Sequence, residues 1–125
     1  MRLMVLALGL LAAAPAVAAD QFDLVCKGRQ RILPSGRWRP YEVRYRVDLA
    51  KMIYCRFDCK ATETIATADQ ARVTFQVPEN AMPAAFLEHY VDRTDGRWRY
   101  YLGGDSDAEG SCEAAPFSGF PPVKF

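Results

Sequence analysis

The chain reads as an all-β protein: an antiparallel meander of about seven or eight short strands, curled into a small barrel or sandwich and stapled by disulfides. Three observations predict it. Apolar and polar residues alternate with period two over several stretches, as strands with one buried face require. No stretch carries a convincing helical repeat, and close turns separate the strand-like runs. Four cysteines, an even number, follow an N-terminal export-type segment, which is the arrangement of a secreted disulfide framework.

The N-terminus justifies the compartment. Met1-Arg2 is a short basic region, Leu3 to Ala14 an apolar run, and Pro15 to Ala19 a stretch of small residues suited to signal peptidase. Cleavage after Ala18 or Ala19 fits, so residues 1–19 are expected to be a signal peptide. The apolar run is shorter than the roughly 20 residues a membrane-spanning helix needs. A lipid-anchored form would need a cysteine directly after the signal, and Cys26 instead follows Asp23-Leu24-Val25. Residues 20–125 are therefore expected to be one soluble domain, periplasmic or secreted, with no membrane insertion.

The strands follow in order. Phe22, Leu24 and Cys26 alternate with Asp23, Val25 and Lys27. Tyr41 to Leu49 is the clearest run: Tyr41, Val43, Tyr45, Val47 and Leu49 share one face, and Glu42, Arg44, Arg46 and Asp48 the other. Lys51 to Phe57 continues as a strand after a short connection at Ala50-Lys51. Thr64 to Thr67 is a weaker strand, and Arg72 to Val77 turns Val73, Phe75 and Val77 inward. Ala84 to Asp92 admits a helical reading with Pro83 in its first turn, but Phe86 to Asp92 is assigned a strand. Arg93-Thr94-Asp95-Gly96 makes the hairpin turn and Arg97 to Leu102 returns. Gly103 to Gly110 reads as a polar loop and Ser111 to Ala114 as a last short strand. The tail, residues 116–125, holds Pro116, Pro121 and Pro122 and is expected to pack irregularly.

Three connectivities are open to the four cysteines. Cys26–Cys112 with Cys55–Cys59 is favoured, because it joins the two end strands and closes a tight local turn. The x3 spacing of Cys55 and Cys59 and the isolation of the other two argue against zinc. After signal removal the charge is balanced, which with export argues against nucleic acid as a partner. Basic residues crowd Lys27 to Lys60 and acidic ones dominate from Ala61 onward.

The one internal repeat is Gly36-Arg37-Trp38-Arg39, which recurs as Gly96-Arg97-Trp98-Arg99. Arginine alternating with tryptophan can present cation–π contacts to a polyanion or a sugar. Arg44 and Arg46 would extend such a patch. The plainer reading is two strand starts after glycine turns, with tryptophan buried and arginine outside. Asp105 to Gly110 begins like a calcium loop, but its twelfth position is Pro116 rather than a bidentate glutamate. His89 is the sole histidine, and no nucleophile motif accompanies it. No catalytic residue, metal site or cofactor is assigned.

Several stretches carry a resemblance. They are Phe22-Asp23-Leu24-Val25-Cys26-Lys27-Gly28, Tyr45-Arg46-Val47-Asp48-Leu49, Tyr54-Cys55 with Cys59, Val91-Asp92-Arg93-Thr94-Asp95-Gly96 and Cys112 to Pro121. Together they resemble small exported bacterial proteins of uncharacterised function, which implies a Gram-negative periplasmic setting and no particular chemistry. The functional expectation is a non-catalytic binding module, with a small ligand in its mouth or a protein or glycan on its surface. An inhibitor of a secreted hydrolase, of lysozyme or protease type, is the alternative, and a weak hydrolase using His89 with a carboxylate a further one.

Overall fold

The computed structural model describes residues 19–76 and 87–122. The expected signal segment before Ala19, together with Val77, Pro83, Phe86 and the last three residues, lies outside them. The described chain forms nine strands: β1 (Gln21–Ile32), β2 (Arg39–Asp48), β3 (Ile53–Arg56), β4 (Glu63–Thr64), β5 (Thr67–Ala68), β6 (Arg72–Gln76), β7 (Leu87–Asp92), β8 (Arg97–Leu102) and β9 (Ser106–Ala115). All pair antiparallel in one sheet of order β4-β3-β2-β1-β9-β8-β7-β6-β5.

Two meanders, β1–β4 and β5–β9, are thus joined where the first strand pairs with the last. The two outermost strands of the sheet, β4 and β5, are separated in sequence by Ile65 and Ala66 alone. The Ile65 amide donates to the Met52 carbonyl at 2.8 Å and the Ala66 amide to the Thr74 carbonyl at 3.0 Å. β4 and β5 are therefore two halves of one bent strand, which leaves β3 to reach β6. The sheet curls back on itself, and its edges are nearly removed.

The alternation that predicts β2 holds: Val43, Tyr45 and Val47 are buried, while Glu42 and Arg44 are exposed. They share the core with Leu24, Tyr54, Ile65, Val73, Phe75, Val91, Trp98 and Ala108. Burying each large side chain of this kind contributes about 1.5–3 kcal/mol. β7 is a strand, as assigned, with His89 and Val91 inward.

Several boundaries differ from expectation: the strand expected at Thr64 to Thr67 is broken at Ile65-Ala66 into β4 and β5, and β2 starts two residues earlier and ends one residue earlier than its alternating run. β1 runs on to Ile32, past the alternating stretch that announces it. The turn after β2 occupies Leu49 to Met52, so β3 begins at Ile53: the buried Asp48 carboxylate accepts from the Lys51 amide at 3.0 Å, and Met52 adopts φ 55°. The expected loop at 103–110 is a turn of three residues followed by strand from Ser106. Its acidic residues lie on a strand's outer face, where Asp107 meets Arg31 and Glu109 meets Arg29, while Ala108 between them is fully buried.

Both disulfides join the favoured cysteines. Cys26 and Cys112 face each other across the β1–β9 seam, and Cys55 and Cys59 close a five-residue loop. By loop entropy the first contributes about 4–5 kcal/mol.

Candidate functional site

The eight predicted patch residues do not share one surface. Trp98 is 1 % exposed and points into the barrel, whereas Arg97 and Arg99 on either side point out. Trp38 lies outside, with the guanidinium carbons of Arg29 and Arg31 at 4.2 and 4.4 Å from its ring. Arg99 is drawn into an outer-face ladder: it meets Glu88 at 2.6 Å and Asp107 and Glu109 at 3.5 Å, and Glu109 in turn binds Arg29. Such exposed pairs add little stability, but they neutralise the charge a polyanion would seek. Arg44 and Arg46 hold the tail. Arg44 Nε donates to Asp23 at 2.7 Å, Ser118 donates to the same carboxylate from both its amide and hydroxyl, and Arg46 donates to the Gly119 carbonyl. Burial opposes the charge on Asp23, but these bonds from Ser118 and Arg44 outweigh it and hold its pKa below the usual value. Arg37 and Arg39 are exposed and, among the described residues, unpaired.

Inside, a glycine pair shapes the floor. The cross-strand row Tyr41, Gly28, Gly110, Trp98 spans β2, β1, β9 and β8. With no side chains on the two middle positions, the rings of Tyr41 and Trp98 reach across and stack, centroids 5.9 Å apart and planes within 10°. Trp98 Nε1–H then donates to the Tyr45 hydroxyl at 2.9 Å, and that hydroxyl is 2.8 Å from His89 Nε2. His89 Nδ1 lies 3.3 Å from the acceptor Gln76 Oε1, which suits a proton on Nδ1 and leaves Nε2 to accept from the Tyr45 hydroxyl. A bulge in β6 between Thr74 and Gln76 sets both Phe75 and Gln76 against His89. Burial, then the Arg56 charge, push the His89 pKa down to about 3, so the ring is neutral. Among the described residues it meets no carboxylate and no nucleophile.

The barrel has two ends. At the loop end, where β1–β2, β3–β4 and β8–β9 connect, Arg56 faces inward beside Tyr54 and opposite Tyr45. Its guanidinium lies 5.6 Å from the Tyr100 ring centre and 3.8 Å from Glu63, and it makes no hydrogen bond among the described residues. Burial works against its charge, and Tyr45, Glu63, Tyr54 and Tyr100 around it more than compensate. Burial raises the pKa values of Tyr41, Tyr45 and Tyr54, so these phenols stay protonated. The Tyr54 hydroxyl is buried and makes no hydrogen bond of good geometry among the described residues; burial, then the Glu63 carboxylate beside it through charge and hydrogen bonding, raises its pKa. On the rim, Phe57 is 52 % exposed, packs edge-on against Tyr41, and is held at φ 54° within the Cys55–Cys59 loop.

At the terminal end a cavity of about 510 Å³ opens between β1, β9, β6, β7 and the turn that follows β7. Phe22, Leu24, Val73, Val91, Cys112 and Ala114 line it, and Asp92 and Arg93 stand at its edge. Its size and apolar walls suit a small-molecule ligand.

Sequence reasoning did not single out Arg56, the tyrosines around it, Phe57 or this cavity. For Arg56 a signal existed: it is two residues from Tyr54 on a predicted strand and so shares its face.

The two disulfides suit an oxidising compartment. Among the described residues, no helix is long and apolar enough to cross a membrane, and no group of three or more His, Cys, Asp or Glu could hold a metal ion. Comparison with known proteins finds no matching family model, no similar curated protein and no similar solved structure.

Proposed function

We propose that the mature chain is a non-catalytic binding protein of the periplasm or the secreted fraction, exported by residues 1–19, which takes a small apolar ligand into the terminal end of its barrel. The cavity between Leu24, Val91 and Ala114 carries this reading. Its walls are strands rather than loops, so the site is largely formed before a ligand arrives, which lowers the cost of binding. Ligands with an alkyl or small aromatic body match this lining. Asp92 and Arg93 at the edge can meet a polar head group.

The test is a thermal-shift panel on the oxidised mature protein with medium-chain alcohols, fatty acids and simple aromatics. A ligand at 100 times its dissociation constant adds about 2.7 kcal/mol, and for a domain of this size the midpoint rises by roughly 10 °C. Ala114→Leu fills the cavity from a position directly opposite Leu24. It should abolish the shift while leaving the unliganded midpoint nearly unchanged. A flat panel, or a shift that survives Ala114→Leu, counts against the reading.

A further inference from the structure

We infer that the loop end of the barrel carries a second, separate binding site, which takes the anionic group of a ligand (carboxylate, sulfate or phosphate) on Arg56 and its apolar or aromatic body against Tyr41 and Phe57.

Arg56 is an arginine without a close partner among the described residues. A guanidinium has five N–H donors and binds carboxylate or phosphate through two of them in parallel. Arg56 uses none of them among the described residues, and its nearest acid, Glu63, stands off at 3.8 Å. Arginines in this protein that serve structure look different: Arg29, Arg44 and Arg99 each hold a carboxylate at 2.6–2.7 Å. Arg56 is also the one placed on the inner face, between aromatic walls that lower the local dielectric and strengthen any ion pair formed there.

A second observation points the same way. The Tyr54 hydroxyl is buried and, among the described residues, makes no hydrogen bond of good geometry; the acid beside it is Glu63, the same carboxylate that stands off from Arg56. Tyr54 is the residue directly before the Cys55–Arg56 pair and faces inward with Arg56. An anion seated on Arg56 gives that hydroxyl an acceptor.

The third is the rim. Phe57 is one of only two large apolar side chains standing out among the described residues. A bulky residue at positive φ is strained, and here the Cys55–Cys59 bridge closes the loop that presents it. The loop keeps an aromatic edge exposed next to Tyr41, within one residue of the cation.

Glu63 gives the inference an unusual sign. Facing inward opposite Tyr54, its carboxylate is the resident competitor for Arg56, and because it is partly exposed it can swing away. Glu63→Gln should therefore tighten anion binding.

The experiment titrates the full mature protein with benzoate, phenyl phosphate and benzamide, the last a neutral isostere of benzoate. Calorimetry gives the affinity, and fluorescence of Trp98, stacked on Tyr41, gives the location. Benzoate or phenyl phosphate should bind and benzamide should not. Arg56→Gln should weaken the anions by at least about tenfold, as loss of a charge-assisted pair implies. Arg56→Lys should restore part of the affinity, and Glu63→Gln should raise it several-fold. Equal binding of benzamide, unchanged affinity in Arg56→Gln, weaker binding in Glu63→Gln, or no anion binding tighter than about 10 mM would each overturn the assignment. Ala114→Leu, which blocks the terminal cavity, should leave these titrations unchanged, so the two sites stand or fall separately.

Discussion

His89 shows how one side chain can set the response of the whole fold to acid. Its ring is fully buried and satisfied at both nitrogens only when neutral. The unfolded chain takes up a proton near pH 6.5, whereas the folded chain resists until about pH 3. As pH falls through this window the unfolded state binds the extra proton, and stability drops by about 1.4 kcal/mol per unit. His89→Gln removes the titration and keeps a group able to accept from Tyr45. Urea unfolding at pH 7, 5.5 and 4.5 should show the wild type losing stability steadily and the variant, weaker at pH 7, holding nearly level. Asp23 and Asp48, whose pKa values are held low, add their own losses only at still lower pH. The same scale shows what a sequence reading can and cannot reach. The Gly-Arg-Trp-Arg repeat gives no sign that its two tryptophans go to opposite faces. Strand phase does: Tyr41, Val43 and Tyr45 face in, so Trp38, three residues before Tyr41, is out of step, whereas Trp98 lies within β8 and in step with Tyr100.

Among the elements, β1 and β9 matter most, because their pairing turns two meanders into one sheet. Gly28 and Gly110 face each other there, and a Cβ on Gly110 would land on the Lys27 carbonyl oxygen, as one on Gly28 would on that of Glu109. Backbone, unlike a side-chain tip, cannot move aside cheaply. Gly110→Ala should cost about 3 kcal/mol in chemical denaturation and break the Tyr41–Trp98 stack, seen as altered near-ultraviolet circular dichroism. Glycine in a strand usually signals a weak point; here it permits close approach. β2 is legible from Tyr41 to Asp48 by its alternation, since its inward face is apolar there. The first half of β9 is not, because Asp107 and Glu109, close after the turn at 103–105, carry the composition of a loop. Their partners Arg29, Arg31 and Arg99 lie about ten to eighty residues away in sequence, on strands whose pairing no local pattern reveals.

For the whole molecule, the seam between first and last strands carries the long-range disulfide and therefore most of the covalent restraint on the unfolded chain. Replacing Cys26 and Cys112 together by alanine should lower stability by about 4–5 kcal/mol, whereas the same change at Cys55 and Cys59 should cost much less and leave the core's far-ultraviolet signal intact. The all-β class follows from patterns single strands and turns display, and Cys55–Cys59 from a spacing within one turn, whereas Cys26–Cys112 is only favoured among three connectivities, as the bridge between the end strands. The terminal cavity and the surroundings of Arg56 follow from no such pattern, because each is built from several strands at once and exists only after the sheet has curled.

That curling is uneven in strength. On one side a covalent bridge and ten paired residues bind β1 to β9. On the other, two strand halves of two residues each and a pair of backbone hydrogen bonds at Ile65 and Ala66 complete the circuit. The molecule is built like a book, with a spine at Cys26–Cys112 and a lightly fastened fore-edge at Glu63 to Ala68. Local opening begins where the least structure is lost, so among the described strands it is expected first at that fore-edge. Tyr54, Arg56 and Glu63 lie along it, and the interior can admit a guest there while the spine stays shut.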